Sequence, residues 1–165
     1  TGTGGGVVVR GHVLTGSNSI AGEWGHNPLP WPQPDELPGP ACYCGKSGCI
    51  ESYLSGPGFA RDYAQRYGET LTAQELAERD DPRALQAWER YEDRMARALA
   101  TVINILDPDI IVLGGGMSNV TRLYENVPRR WTRYVFSDAV RTKLVRAKFG
   151  DASGVRGAAW LWPRA

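Results

Sequence analysis

Hydrophobic residues are distributed differently in the first third of this chain and in the rest. Val7, Val8 and Val9 form an apolar run, Arg10 and Gly11 interrupt it, and His12, Val13 and Leu14 follow. Two short extended runs around a two-residue break with glycine read as strands joined by a tight hairpin. From residue 15 to 50 neither the strand nor the helix period is found. Beyond it the helical period takes over. A helix is predicted over 57–67, ended by Gly68, and a shorter one is capped by Thr72 and runs to Arg79. The longest starts with Asp80 or Asp81 as cap and Pro82 in the first turn, where its missing N–H does no harm, and runs to Asp107. Leu85, Trp88, Met95, Leu99, Val102 and Leu106 share one face of it, the face expected to meet a sheet or another helix.

"DPDIIVLGGG" at 107–116 then gives a Pro-containing turn, a short apolar strand and three glycines. An unbroken apolar run followed by glycine predicts a buried central strand whose far end opens toward a ligand. A helix over 120–135, interrupted at Pro128, a strand over 144–148 and a small-residue helix in "SGVRGAAWLW", packed closely on the sheet, complete the pattern. The fold class is α/β, with no internal repeat.

Composition narrows this picture. A chain of 165 residues, 42% hydrophobic and 22% charged, is long enough for one well-buried domain. A net charge of +1 supplies no global field for nucleic acid, and no apolar run approaches a membrane span. The chain starts at Thr1, and "TGTGGGVVV" has neither the basic start nor the apolar core of a signal peptide, so further sequence is expected upstream. Three cysteines, an odd number, argue against a secreted disulfide framework and for a reduced, cytoplasmic setting.

Candidate chemistry concentrates in the aperiodic stretch. Cys42, Cys44 and Cys49 follow six prolines and His26, and Cys42 and Cys44 are too close for an unstrained disulfide. Three thiolates and an imidazole make a closed tetrahedral zinc set, the alternative being three unrelated buried or free thiols. Glu23 and Glu51 flank this segment. With His26 they would suit a polyhydroxylated, uncharged ligand, the alternative being two solvated surface groups. "TGTGGG" at 1–6 and "GGG" at 114–116 adjoin apolar strands, as phosphate cradles do and as plain tight turns also do. Between 121 and 148 eight Arg or Lys stand against Glu125 and Asp138, a pattern of a solvated face more than of a nucleic-acid surface. His12 has no assigned role.

His26 followed by C-x-C-G-x-x-G-C-x-E, here "CYCGKSGCIE", resembles the signature of the ROK family of bacterial sugar kinases and sugar-responsive repressors. The resemblance extends along the whole chain through "AGEWGHNPLPW", "GFARDYA", "INILDPDIIVLGGGMSN" and "GDASGVRGAAWLWP". It implies an actin-like ATPase (ribonuclease H-like) α/β kinase fold, with residues 1–165 as its C-terminal lobe, a zinc-binding loop at 26–49 inserted, and the N-terminal lobe absent from the chain. It also implies structural Zn2+ on His26, Cys42, Cys44 and Cys49, and sugar contacts from Glu23, His26 and Glu51. ATP with Mg2+ would be held by Thr1, Gly2, Thr3, Gly4, Gly5 and Gly6 and by Gly114, Gly115 and Gly116. "EWGHNPLPW" turns the resemblance toward the fructokinase branch, hence toward D-fructose and ATP giving fructose 6-phosphate. Mannose, glucose or N-acetylglucosamine as substrate, or a repressor with an upstream helix-turn-helix, are the alternatives. A homodimer is implied, with no membrane partner and, for a kinase, no nucleic acid. The family's D-x-G-G-T motif and its catalytic aspartate have no counterpart here: Asp107, Asp109 and Asp151 lie in turn or cap contexts, so the chain is expected to carry no catalytic base.

Overall fold

The computed structural model describes residues 2–160. They divide into two compact units, Thr1–Leu76 and Ala77–Ala165, where the sequence predicts a single domain.

In the first unit, β1 (Val8–Val9) pairs antiparallel with β2 (His12–Val13), and Leu14 N–H donates to the Val7 carbonyl at 2.8 Å. Arg10 and Gly11 both have positive φ, 51° and 81°, as a two-residue turn that follows strand twist requires. The aperiodic segment holds only two short 3-10 turns, Trp24–His26 and Pro34–Glu36, yet it is tied down throughout. Leu29 N–H donates to the Gly48 carbonyl and Ile50 N–H to the Asn27 carbonyl, both at 2.9 Å. Leu29 is buried, and so is Glu36, whose carboxylate accepts the Gln33 N–H at 2.8 Å and whose carbonyl accepts the Tyr53 hydroxyl at 2.7 Å. The proline-rich loop is thus ordered by its own hydrogen bonds as well as by its cysteines.

Three helices follow. The first, α1 (Ile50–Leu54), is too short to show a period and is not predicted from sequence, yet Ile50, Ser52, Tyr53 and Leu54 are all buried. In α2 (Gly56–Tyr67) the Ser55 hydroxyl accepts the Gly58 N–H at 3.1 Å, Gly68 closes the helix in the left-handed conformation, and Phe59 and Tyr63 are buried. α3 (Ala73–Ala77) ends short of Arg79. Its start is the predicted cap, with the Glu75 carboxylate accepting the Thr72 N–H at 2.7 Å and the Thr72 hydroxyl accepting the Glu75 N–H at 3.2 Å.

The second unit is built on α4 (Pro82–Leu106), started by the Asp81 carboxylate, which accepts the Arg83 and Ala84 N–H groups, and closed by Asp107 at φ 42°. The Ala84 N–H, ahead of the other groups around it, holds the Asp81 carboxyl below its ordinary value. Its buried stripe runs through Ala84, Trp88, Tyr91, Met95, Leu99 and Ile103. The predicted face is corrected at its ends: Leu85 and Leu106, in the first and last turns of the helix, are exposed. α5 (Arg122–Trp131) packs on α4 with Leu123, Val127 and Trp131 buried, and Pro128 sits inside it without ending it.

β3 (Ile110–Leu113) pairs in parallel with β4 (Lys143–Arg146), Ile110 opposite Lys143 through Leu113 opposite Arg146. The expectation of a buried central strand does not hold among the described residues, since Ile110 and Val112 are exposed. A strand is buried on both faces only when each face has a covering layer. α6 (Ser153–Ala159) likewise has no buried residue, against the expected close packing, and the end of "SGVRGAAWLW" lies outside the described residues.

Candidate functional site

The site is assembled in the first unit. Gly48 has φ 72°, a left-handed turn that L side chains rarely adopt, and it brings Cys49 back toward Cys42 and Cys44. One ligand atom each of His26, Cys42, Cys44 and Cys49 then lies within 4.8 Å of all the others. Cys42 Sγ is 3.6 Å from His26 Nδ1, Cys44 Sγ is 3.6 Å from Cys49 Sγ, and Cys49 Sγ is 3.6 Å from the His26 carbonyl. A tetrahedral zinc with bonds of about 2.0–2.3 Å needs ligand-to-ligand edges of about 3.5–3.8 Å, so the donor set fits that ion in type, and the two 3.6 Å edges fit it in spacing.

The thiols are unequal. A hydrogen bond from the Lys46 backbone lowers Cys44 to about 7, while burial pushes Cys49 up to about 12. Cys44 is therefore readily ionised, and Cys49 would have to lose its proton to an incoming metal ion.

Around this cluster the predicted sugar residues meet the segment 2–6. The segment 2–6 lies against 22–25 so closely that a Cβ on Gly25 would sit 1.7 Å from the Thr3 carbonyl oxygen, and only glycine fits. Trp24 Nε1–H donates to the Gly4 carbonyl at 3.2 Å, and Thr3 N–H donates to Glu51 Oε2 at 2.8 Å. Glu51 is half-buried and Glu23 exposed. Glu51 and Glu23 also bear on one residue that sequence reasoning passed over, Tyr43. Its hydroxyl lies 2.9 Å from His26 Nε2. Partial desolvation, then the charges of Glu51, Cys42 and Glu23, raise its phenol above the ordinary 10.0.

One expectation changes here: the Thr3 amide already serves a carboxylate, so it is not a free donor to a phosphate. Thr1 lies outside the described residues. Gly114, Gly115 and Gly116 belong to the second unit, just after β3. Gly115 N–H donates to the Asp151 carbonyl at 3.1 Å, and a Cβ at any of the three would meet nothing within 4 Å. Their backbone is open at the carboxyl end of a parallel strand, where α/β sheets bind ligands. The Asp151 carboxylate accepts the Asn119 amide at 3.0 Å rather than capping α6.

The basic stretch 121–148 is only partly the solvated face expected of it. Arg122 and Arg130 pair with the buried Glu92 at 2.5 and 3.3 Å, while Arg129 pairs with Glu125 at the surface. No helix among the described residues is long and apolar enough to cross a membrane.

Fold and site define an α/β chain in which four residues that could hold a metal ion gather in a loop flanked by Glu23 and Glu51. The chain belongs to the ROK family, whose sequence pattern matches residues 1–165. It is 43% identical over 168 residues to an N-acetyl-D-glucosamine kinase of Photobacterium profundum, covering 98% of this chain and 55% of that protein. The crystal structure of a ROK hexokinase from Thermus thermophilus superposes with TM-score 0.80 at 33% identity, over 96% of this chain and 53% of that one. A ROK family glucokinase from Streptomyces griseus, in complex with glucose and AMPPNP, superposes with TM-score 0.82 at 25% identity, over 98% of this chain and 57% of that one. The fold is thus the actin-like ATPase fold of the ROK kinases expected from sequence. The chain spans about 55% of its curated relative's length. Its description as one C-terminal lobe is not retained, because the described residues form two compact units.

Proposed function

We propose that the complete protein transfers the γ-phosphoryl group of ATP to a hydroxyl of a hexose, and that this chain supplies much of the sugar site. The observation that carries this is the convergence of the 22–26 turn, Glu51 and the glycine-rich segment 2–6 beside one metal cluster. A carboxylate has about four acceptor positions, so Glu51 can hold the Thr3 N–H and still accept from sugar hydroxyls. Glu23 adds an acceptor, and His26 a ring N–H at Nε2 that meets the Tyr43 hydroxyl.

His26, Cys42, Cys44 and Cys49 would hold zinc, whose chemistry with four protein ligands is structural: it fixes the loop and leaves no open position for substrate. The phosphates of ATP would be held by the backbone of Gly2, Gly4, Gly5 and Gly6, with Mg2+ balancing phosphate charge. Phosphoryl transfer asks a protein mainly for position and charge, which rigid backbone supplies. The base that takes the hydroxyl proton is assigned to the part of the complete protein outside this chain. A homodimer belongs to the same proposal.

Among hexoses, "EWGHNPLPW" favours fructose phosphorylated at C6, whereas the relative named above acts on N-acetyl-D-glucosamine. Related pockets separate such sugars by small energies, so the assay has to rank them directly. The full-length protein with ATP and fructose, mannose, glucose or N-acetylglucosamine is expected to release ADP fastest with fructose. Fastest turnover of N-acetylglucosamine would reassign the sugar, and no turnover of any hexose by zinc-loaded protein would end the kinase reading.

A further inference from the structure

Tyr43 stands between two of the four cluster residues, and the metal reading gives it no part. It is 83% exposed, yet its hydroxyl has a partner in the protein. It lies 2.9 Å from His26 Nε2, and the two rings meet edge-on with centroids 5.1 Å apart and planes at 88°. A tyrosine this exposed gains little from burial, so its placement has another cause. The backbone on both sides is anchored, through Cys42 and Cys44, to the cluster.

The imidazole sets the direction of the hydrogen bond. Nδ1 faces Cys42 Sγ at 3.6 Å and is the nitrogen a metal would take. Nε2 then carries the ring proton and donates to the tyrosine oxygen. The phenolic proton is left to point onward as a donor. His26 closes the Trp24–His26 turn assigned to the sugar, so the hydroxyl held against its ring stands beside that turn.

We propose that Tyr43 is a specificity-determining residue of the hexose site: its hydroxyl, oriented by His26 Nε2, donates to a sugar hydroxyl, and its ring walls the sugar on that side. This rests on the kinase reading above and deepens it. Recognition of one hydroxyl by a fixed donor favours sugars that present an oxygen there over sugars that do not.

The test compares full-length wild type with Tyr43→Phe, measuring zinc content and KM for ATP and for fructose, mannose, glucose and N-acetylglucosamine. Tyr43→Phe is expected to keep its zinc and its KM for ATP. The KM for the preferred hexose should rise about five- to tenfold, the loss of one hydrogen bond, and less for at least one other sugar, so that the ranking narrows. Tyr43→Ala, which removes the wall too, should raise it further. An unchanged KM for all four sugars overturns the proposal. A lowered KM does so as well, since it means that the hydroxyl competes with sugar for Nε2. An equal rise for all four, with or without zinc loss, shows a general structural effect and also overturns it. Should wild type turn over no hexose, the kinase reading falls, and calorimetric Kd values for the same sugars read Tyr43 by the same criteria.

Discussion

Gly25 shows how much a single position can decide. A Cβ there would overlap the Thr3 carbonyl oxygen, which is backbone and cannot rotate away. Gly25→Ala in the full-length protein is therefore expected to lift segment 2–6 off the 22–26 turn and to break the Thr3–Glu51 hydrogen bond. Hexose KM should rise at least about tenfold, while zinc stays bound because no cluster residue changes. Wild-type KM in this variant would mean that the segment does not shape the sugar site. At this scale the sequence was informative where chemistry is written in side-chain identity. Cys42, Cys44, Cys49 and His26 were readable as ligands because few other residue types combine those donors at that spacing. The roles of Glu23 and Glu51 stayed open, since a glutamate reads alike whether it faces solvent or a ligand. Tyr43 gave no signal, because where its hydroxyl points depends on backbone on both sides.

Among the elements, the pairing of α4 with α5 depends on one buried acid. Glu92 accepts from Arg122 at 2.5 Å, Asn126 at 2.9 Å and Arg130 at 3.3 Å, three residues spaced four apart on one face of α5. Removing one member of a buried charge group leaves the others unpaired, so Glu92→Ala should cost about 3 kcal/mol in urea unfolding. The exposed pair Arg129–Glu125 gives the contrast: Arg129→Ala should cost no more than about 0.5 kcal/mol. Equal costs would refute the buried role of Glu92. The helix start at Thr72 and the stop at Gly68 were legible, and the start of α4 was narrowed to Asp80 or Asp81, since caps act locally. α1 was not, because five residues show no period. The ends of the predicted face of α4 were misplaced because Leu85 and Leu106 keep the helical period but lie in its first and last turns, and the period does not encode what covers a helix end.

For the whole molecule, the metal should couple order to sugar affinity. Stripping zinc from the full-length protein with a chelator, or substituting Cys44→Ser, is expected to lower Tm and raise hexose KM together, with zinc but not Mg2+ restoring the stripped wild type. Zinc loss without a change in KM would uncouple the cluster from the sugar site. By itself the sequence determined the α/β class, the hairpin, the main helices and the candidate His–Cys cluster, all of which depend on local periodicity, capping or side-chain chemistry. Only the tertiary structure decided that the chain forms two units, that β3 leaves a face exposed, that the Thr3 amide serves Glu51, and that Tyr43 sits on His26. These depend on contacts between residues tens of positions apart, whose distance no local pattern encodes.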